Sequence, residues 1–224
     1  RLLNRHGVEV VVAKGVGCCG ALVHHMGQEE AGHAAARQNI AAWSAEMDGE
    51  GLDAIVINAS GCGTTVKDYG FMLRNDALWA EKAAEVSVMT KDIVEFMIEI
   101  GLENPKPSEQ LTVAYHSAYS MQHGQQLKDE PKALLEDAGF RVTTPREPHL
   151  CCGSAGVYNI MQPKIAGQLK ERKAGNLNAL EADIIAAGNI GCLTQLKSSV
   201  HAPIVHTVEL LDWATGGPKP KKLG

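Results

Sequence analysis

The stretch GVGCCGALVHH (residues 15–25) and the stretch HLCCGSAGVYN (residues 149–159) each contain two adjacent cysteines followed by glycine. The chain has six cysteines in 224 residues, so these two doublets account for four of them. Adjacent side chains point to opposite faces of a regular strand, so both thiols can reach one site only where the backbone turns sharply. Glycine tolerates the positive φ that such a turn needs. The sequence therefore predicts sharp turns at Gly20 and Gly153, each presenting two thiols to one site.

Each doublet lies within the same predicted pattern of strand, helix and second strand. The first strand of each copy is a short β-branched run, and the second ends at a lone cysteine, Cys62 or Cys192. The predicted first strands are residues 8–13 and 140–145, and the predicted helices are residues 21–47 and 162–180. Matching cysteines lie about 130 residues apart throughout, which predicts an internal duplication.

The alternation of strands and helices predicts an α/β fold with mostly parallel sheets, in which cysteines at strand ends gather along one edge. We expect two tandem Rossmann-like repeats related by pseudo-two-fold symmetry. The stretch GLENPKPSEQ (residues 101–110) has two prolines and a helix-stopping glycine, so it is the predicted junction. The first repeat is then expected over residues 1–107 and the second over residues 108–224.

Composition and charge exclude several classes of function. The net charge is -5 and basic residues are scattered, so we expect no nucleic-acid partner. Apolar runs are about six residues long, against the roughly 20 that a membrane-spanning helix needs, so we expect no transmembrane segment. The chain does not begin with Met and has no signal-peptide pattern, so we expect a cut end and a cytoplasmic, reducing compartment.

Thiols in a reducing compartment serve metals or catalysis more often than disulfides. Soft thiolate ligands suit zinc and iron–sulfur clusters, which are the two cofactors that the pattern favours. The predicted metal ligands are Cys18, Cys19, Cys62, Cys151, Cys152 and Cys192. Two alternatives remain open: a redox disulfide within each doublet, and cysteines that act as small buried apolar side chains.

Some histidines are also candidate ligands. His116 ends the predicted strand LTVAYH and is a further candidate metal ligand, with a capping or core role as the alternative. His24 and His25 follow the first doublet and could complete a Cys/His zinc site, although packing is favoured for both. His123 is a weaker candidate. The charged stretch LKERK (residues 169–173) is expected to be a solvated helix face.

Beside the doublets, VAYHSAYSMQHGQQ (residues 113–126) and NASGCGTTVKDYG (residues 58–70) resemble the tandem cysteine-rich CCG domains of the glycolate oxidase iron–sulfur subunit. The resemblance spans nearly the whole chain. Related CCG domains occur in lactate-utilisation iron–sulfur proteins and in the B subunit of heterodisulfide reductase, where they bind non-cubane iron–sulfur clusters.

The resemblance implies an electron-transfer subunit of an oxidoreductase. A partner subunit containing FAD would oxidise glycolate to glyoxylate, and iron–sulfur centres would carry the electrons towards an acceptor such as quinone. The implied cofactor is an iron–sulfur cluster, with a non-cubane [4Fe–4S] type as one form and zinc as the alternative. The implied location is cytoplasmic, with peripheral attachment to the inner membrane through the complex. The family's ferredoxin-like segment, with its two C-x2-C-x2-C-x3-C-P runs, is missing from this sequence.

The sequence departs from the family at two kinds of position. Tyr119 stands where the family has the cysteine of His-x-x-Cys, and its phenol, with an ordinary pKa of about 10, is a poor substitute for thiolate. The equivalent position of the first repeat would fall before Arg1. Ala59 and Asn189 replace the first cysteine of the C-x-x-C found in the heterodisulfide reductase branch. These departures leave open a zinc-stabilised or metal-free scaffold that docks the flavin and ferredoxin parts, or a thiol redox protein acting through the doublets.

Overall fold

The structure is a computed structural model that describes residues 1–106 and 110–224. The helices are, in chain order, α1 (Leu2–Arg5), α2 (Ala21–His25), α3 (Glu29–Met47), α4 (Ser60–Lys67), α5 (Tyr69–Met72), α6 (Ala80–Met89), α7 (Ile93–Ile100), α8 (Glu130–Asp137), α9 (Tyr158–Met161), α10 (Pro163–Asn178), α11 (Ile190–Leu196) and α12 (Thr207–Ala214). The strands are β1 (Ile55–Ile57), β2 (Thr90–Asp92), β3 (Thr112–Tyr115), β4 (Arg141–Thr143), β5 (Ile184–Ala187) and β6 (Ile204–His206). A π-helical turn (Ser120–Gly124) and a 3-10 turn (Lys221–Leu223) complete the regular elements of the described chain. None of its helices is both long and apolar enough to cross a lipid bilayer.

The chain divides into two compact units. The first unit is Val10–Ile93, and the second unit combines Arg1–Glu9 with Val94–Gly224. The repeat junction predicted near Pro107 lies outside the described residues. The internal duplication and its pseudo-two-fold symmetry stay predictions.

The first unit has a parallel two-stranded sheet, in which Ile55 of β1 pairs with Thr90 of β2. Helix α3 turns Ala36, Ile40 and Trp43 into the core of this unit at the spacing of one helical face. The amino end of helix α4 begins shortly after β1, so the residues that open this helix lie at the carboxyl end of the sheet.

Two predictions for the first unit are wrong in detail. Residues 8–13 have no regular secondary structure, and Val12 is 88% exposed. β-branched residues form strands where they pack and pair, and this run has no such neighbour in the described structure. The predicted helix over residues 21–47 is two helices, because Gly27 adopts a positive φ of 77° between α2 and α3.

The second unit has a parallel four-stranded sheet in the order β4-β3-β5-β6. The central strand β5 is buried at all four of its positions, as is usual for a parallel strand covered on both faces. Every strand pair in the described residues is parallel, so the predicted α/β fold with mostly parallel sheets is confirmed. Helix α10 starts with Pro163 in its first turn, as the sequence predicts.

Candidate metal centres

The first unit brings Cys18, Cys19 and Cys62 together, and we call these residues the first thiol cluster. The doublet lies in the turn before α2, and Cys62 lies in the first turn of α4. The pKa of Cys19 is raised because its thiol hydrogen-bonds to Cys62 and because it is buried. The same hydrogen bond lowers the pKa of Cys62 to about 7. Cys62 therefore ionises more easily than Cys19, and a thiolate is the form that binds metal.

The turn at Gly20 is the one that the sequence predicts. Gly20 has a φ of 80°, and a Cβ there would lie 3.1 Å from the carbonyl oxygen of Gly32 and 3.0 Å from the Cβ of Ala35. Glycine is required both for the left-handed backbone and for the close approach of α3. This contact fixes the doublet against α3.

Two buried polar side chains hold the backbone of the first doublet. The side-chain amide of Asn39 accepts from the Gly17 amide at 2.8 Å and donates to the Cys18 carbonyl at 3.1 Å. The phenol of Tyr69 donates to the Cys19 carbonyl at 2.8 Å. Helices α3 and α5 therefore both anchor the peptide groups that carry the thiols.

The second unit brings Cys151, Cys152 and Cys192 together, and we call these residues the second thiol cluster. The sulfur atoms of Cys152 and Cys192 lie 3.3 Å apart, and both side chains are buried. The Gly153 amide donates to the sulfur of Cys151 at 3.3 Å. The pKa of Cys151 is raised because its thiol hydrogen-bonds to Cys152 and because it is buried.

Gly153 repeats the geometry of the first turn. Its φ is 87°, and a Cβ at this position would lie 2.4 Å from the carbonyl oxygen of Ala166 in α10. Asn189, which stands where a related branch has cysteine, caps α11 by accepting a hydrogen bond from the Gly191 amide at 2.8 Å. This cap fixes the helix start that carries Cys192.

His116 completes a compact group of donor atoms in the second unit. One ring nitrogen of His116 and the sulfur atoms of Cys152 and Cys192 all lie within 4.8 Å of one another. The histidine is 0% exposed, and neither ring nitrogen has a hydrogen-bond partner in the described structure. Within residues 1–106 and 110–224, no other set of three such ligand atoms closes to this distance. The sulfur of Cys151 is not part of this close group, and the three sulfurs of the first thiol cluster do not all lie within this distance of one another.

The loop that leads into the second doublet is held by α10. The Glu147 carboxylate accepts hydrogen bonds from the Arg172 guanidinium, one of them at 2.9 Å, and from the Asn176 amide at 2.9 Å. The Lys173 ammonium donates to the backbone carbonyls of Glu147 at 2.8 Å and Pro148 at 3.3 Å. We call Glu147 with these three α10 residues the loop clamp. The hydrogen bonds from Arg172 and Asn176 to the carboxylate lower the pKa of Glu147 to about 2.

The loop clamp overturns one prediction. The stretch LKERK is not a fully solvated face, because Lys173 is 0% exposed and burial lowers its pKa. Asn39, Tyr69 and Glu147 were also missed as supporting residues. A polar residue within an otherwise apolar helix, as in QNIAAW, is the one local signal that could have pointed to Asn39.

The remaining candidates lie elsewhere. His24 and His25 are at the end of α2, outside the close group of donor atoms, and their rings lie 5.9 Å apart. Tyr119 is 57% exposed, and its ring packs on His123 with ring centroids 4.4 Å apart. The geometry thus gathers the six predicted cysteines into two clusters and adds His116 to the second.

Comparisons with known proteins agree with this cysteine pattern. The CCG cysteine-rich domain family matches residues 1–67 and 113–197. The chain is 41% identical to the glycolate oxidase iron-sulfur subunit of Escherichia coli (strain K12), over 96% of this chain and 52% of that protein. It is 32% identical to the probable glycolate oxidase iron-sulfur subunit of Bacillus subtilis (strain 168), over 96% of this chain and 50% of that protein. Lactate utilization protein A of Bacillus licheniformis is 25% identical, over 94% of this chain and 89% of that protein. These matches confirm the predicted resemblance, and the chain spans about half the length of the two glycolate oxidase relatives.

Proposed function

Since this chain belongs to the CCG cysteine-rich domain family, we propose that its two thiol clusters hold iron–sulfur centres that transfer electrons in a glycolate-oxidising complex. The observation that carries the proposal is the same arrangement in both units: a doublet at a glycine turn beside a third cysteine in the first turn of the third helix that follows it. If the cysteines were only small apolar side chains packed in a core, two adjacent thiols would not be needed at each of the two glycine turns.

The cysteines of the two thiol clusters are suitable ligands for an iron–sulfur cluster. Thiolates are the ligands of iron–sulfur clusters, and a bound cluster would supply one-electron redox chemistry. Cys18, Cys19 and Cys62 would be the ligands in the first unit. Cys151, Cys152 and Cys192 would be the ligands in the second unit.

The protein's own residues would set the conditions of the site. At each glycine turn the two thiols of the doublet hydrogen-bond to each other, and burial of Cys152 and Cys192 keeps water away from two of the ligands. Asn39, Tyr69 and the loop clamp fix the peptide groups that carry the doublets. Such support keeps ligand positions constant when the charge of the site changes.

The partners are part of the proposal. The relatives named as glycolate oxidase iron-sulfur subunits are about twice as long as this chain. We propose that this chain works beside a ferredoxin-like segment and an FAD-containing subunit that oxidises glycolate. We further propose a cytoplasmic location, with attachment to the inner membrane through the complex.

One observation favours zinc as a second candidate. The three donor atoms of His116, Cys152 and Cys192 lie within 4.8 Å of one another, which suits the single tetrahedral ion of a Cys/His zinc site. In that case the second unit would be a zinc-stabilised scaffold that docks the other parts without carrying electrons.

Anaerobic purification separates these functions. We expect a brown protein with broad visible absorbance, with iron and acid-labile sulfide in the metal analysis and an EPR signal that appears or changes on reduction by dithionite. Replacement of Cys18 and Cys151 by Ser is expected to lower the iron content, whereas replacement of the exposed Ser198 by Ala is the surface control. A colourless protein with about one zinc ion would support the scaffold, and a protein without either metal would overturn both functions.

A further inference from the structure

His116 is a fully buried histidine whose ring has no hydrogen-bond partner among residues 1–106 and 110–224. It follows β3 directly, it is 0% exposed, and both of its ring nitrogens lack a partner in the described structure. An unsatisfied buried polar group costs about 1–3 kcal/mol, and nearly all such groups have a partner in native proteins. A ring in this position therefore calls for a partner that is not one of the described protein atoms.

The sheet brings this ring to the thiols. Strands β3 and β5 are parallel neighbours, and the pairing extends past β3 because the His116 amide donates to the Ala186 carbonyl at 2.8 Å. Cys192 opens the helix that follows β5, so both residues lie at the carboxyl edge of the same sheet. This register explains why a ring nitrogen lies within 4.8 Å of the sulfurs of Cys152 and Cys192.

Tyr119 does not supply this donor. It stands where the resemblance leads one to expect a cysteine, but its side chain is 57% exposed and its ring packs on His123. The buried donor next to the thiols is three positions earlier in the chain, at His116. Imidazole is also a better ligand at neutral pH than a phenol, because its ordinary pKa of about 6.5 leaves it mostly unprotonated.

We propose that His116 is the nitrogen ligand of the metal group bound by the second thiol cluster, which makes this site a three-cysteine, one-histidine set. The inference rests on the proposed function, because it requires that the cluster binds metal. A neutral imidazole in place of a fourth thiolate leaves the site with one negative charge less. In iron–sulfur proteins, replacement of cysteine by histidine raises the reduction potential.

Cobalt(II) tests the ligand set without depending on the iron content. The titration uses the reduced full chain in a background with Cys18→Ser and Cys62→Ser, so that the first thiol cluster contributes little to binding. Thiolate ligands give charge-transfer absorbance, and a bound histidine gives a strongly shifted ring N–H signal in the proton NMR spectrum. We expect both signals before substitution of His116. His116→Ala should remove the shifted signal and weaken cobalt binding at least tenfold.

Two variants that each add one cysteine, His116→Cys and Tyr119→Cys, test the proposal even if His116→Ala does not fold. His116→Cys should keep tight binding, lose the shifted histidine signal and increase the thiolate absorbance by about one third, since four thiolates replace three. Tyr119→Cys should change neither signal. Circular dichroism on each variant confirms that it is folded.

The outcomes separate the two proposals. Thiolate absorbance without a histidine signal, together with unchanged affinity in His116→Ala, would overturn the role of His116 and leave the metal site standing. An increase in thiolate absorbance for Tyr119→Cys but not for His116→Cys would also overturn it. A background protein that binds no cobalt through thiolates would contradict the proposed function itself at the second thiol cluster.

Discussion

The phenol of Tyr69 donates a hydrogen bond of 2.8 Å to the backbone carbonyl of Cys19, and it accepts one of 3.1 Å from the side-chain amide of Asn39. Tyr69 is fully buried, so water cannot replace either bond. The residue connects α3, α5 and the first doublet through one oxygen atom. The position of the Cys19 peptide therefore depends on a side chain 50 residues away in the sequence.

Tyr69→Phe removes that oxygen and leaves the ring in place. We expect the free energy of unfolding of the metal-free protein to fall by about 1–3 kcal/mol, because the Cys19 carbonyl and one Asn39 proton lose a buried partner. Urea denaturation followed by circular dichroism measures the change. Tyr119→Phe is the control, and its exposed ring should give a change below about 0.5 kcal/mol. Equal effects of the two substitutions would contradict the role of Tyr69.

The parts of this site that the sequence predicts are those fixed by local chemistry. Glycine after each doublet predicts the turns at Gly20 and Gly153, and both have a positive φ. The β-branched run at residues 8–13 has a composition typical of a strand, but strand formation depends on a paired neighbour, and the part of the chain that the structure describes offers none.

The roles of the supporting residues depend on tertiary structure, and the local sequence around these residues gives little sign of those roles. Lys173 lies in a charged stretch typical of a solvated helix, yet the fold buries its ammonium against two carbonyls. The spacing between Tyr69 and Cys19 carries no periodic signal. Only the packed unit reveals that such side chains hold the doublets.

Gly153→Ala tests the second glycine turn. A Cβ would lie 2.4 Å from the Ala166 carbonyl oxygen, and the φ of 87° is unfavourable for alanine, so the loop or α10 must move. We expect a loss of more than about 2 kcal/mol in the free energy of unfolding and a clear loss of metal binding. Gly167→Ala is the matched control within α10, where a Cβ meets no atom within 4 Å. That change should stabilise the protein by up to about 1 kcal/mol. A Gly153→Ala protein with normal stability and metal content would show that the turn has no such constraint.

The lowered pKa of Cys62 predicts how its reactivity depends on pH. The hydrogen bond from Cys19 favours the thiolate, so half of Cys62 should be ionised at a pH of about 7 rather than at about 8.5. Alkylation by iodoacetamide of the reduced, metal-free protein, followed at Cys62 by mass spectrometry, should have its midpoint at that pH. Cys19→Ala removes the hydrogen bond and should move the midpoint upward by about one unit or more. A midpoint above pH 8 before substitution would contradict this arrangement of the two thiols.

The lowered pKa of Glu147 predicts a contribution to the free energy of unfolding that is lost in acid. Its pKa is about 2 in the folded chain and about 4.3 in an unfolded chain, so its ionised form favours folding. That contribution is fully present above about pH 4.3 and is lost as the pH falls towards 2. Glu147→Gln should therefore be less stable than the unsubstituted chain at pH 6, and the difference should shrink on acidification. Thermal unfolding at a series of pH values measures it. Glu136→Gln, which removes an exposed carboxylate of α8, is the control for the loss of one charge.

Lys173 is expected to affect both the stability of the second unit and its metal affinity. Its ammonium donates to the Glu147 and Pro148 carbonyls and is close enough to Cys151, Cys152 and Cys192 to interact with them electrostatically. Lys173→Met keeps most of the buried volume but removes the donor and the charge. We expect a loss of about 1–3 kcal/mol in the free energy of unfolding, because two hydrogen bonds from a charged donor are lost. The Glu147 carbonyl keeps the Leu150 amide as a donor, and the Pro148 carbonyl keeps the Gln122 side-chain amide.

The same substitution should weaken cobalt binding by about tenfold or more. Attraction between charges a few ångströms apart is worth on the order of 1–4 kcal/mol in a partly screened site, and thiolates lose that attraction when the ammonium is removed. Lys170→Met is the control on the same helix, since Lys170 is partly exposed and pairs with Glu171. Cobalt titration of the three folded proteins measures the effect. Unchanged affinity in a folded Lys173→Met protein would show that Lys173 only supports the loop and that its charge does not act on the thiols.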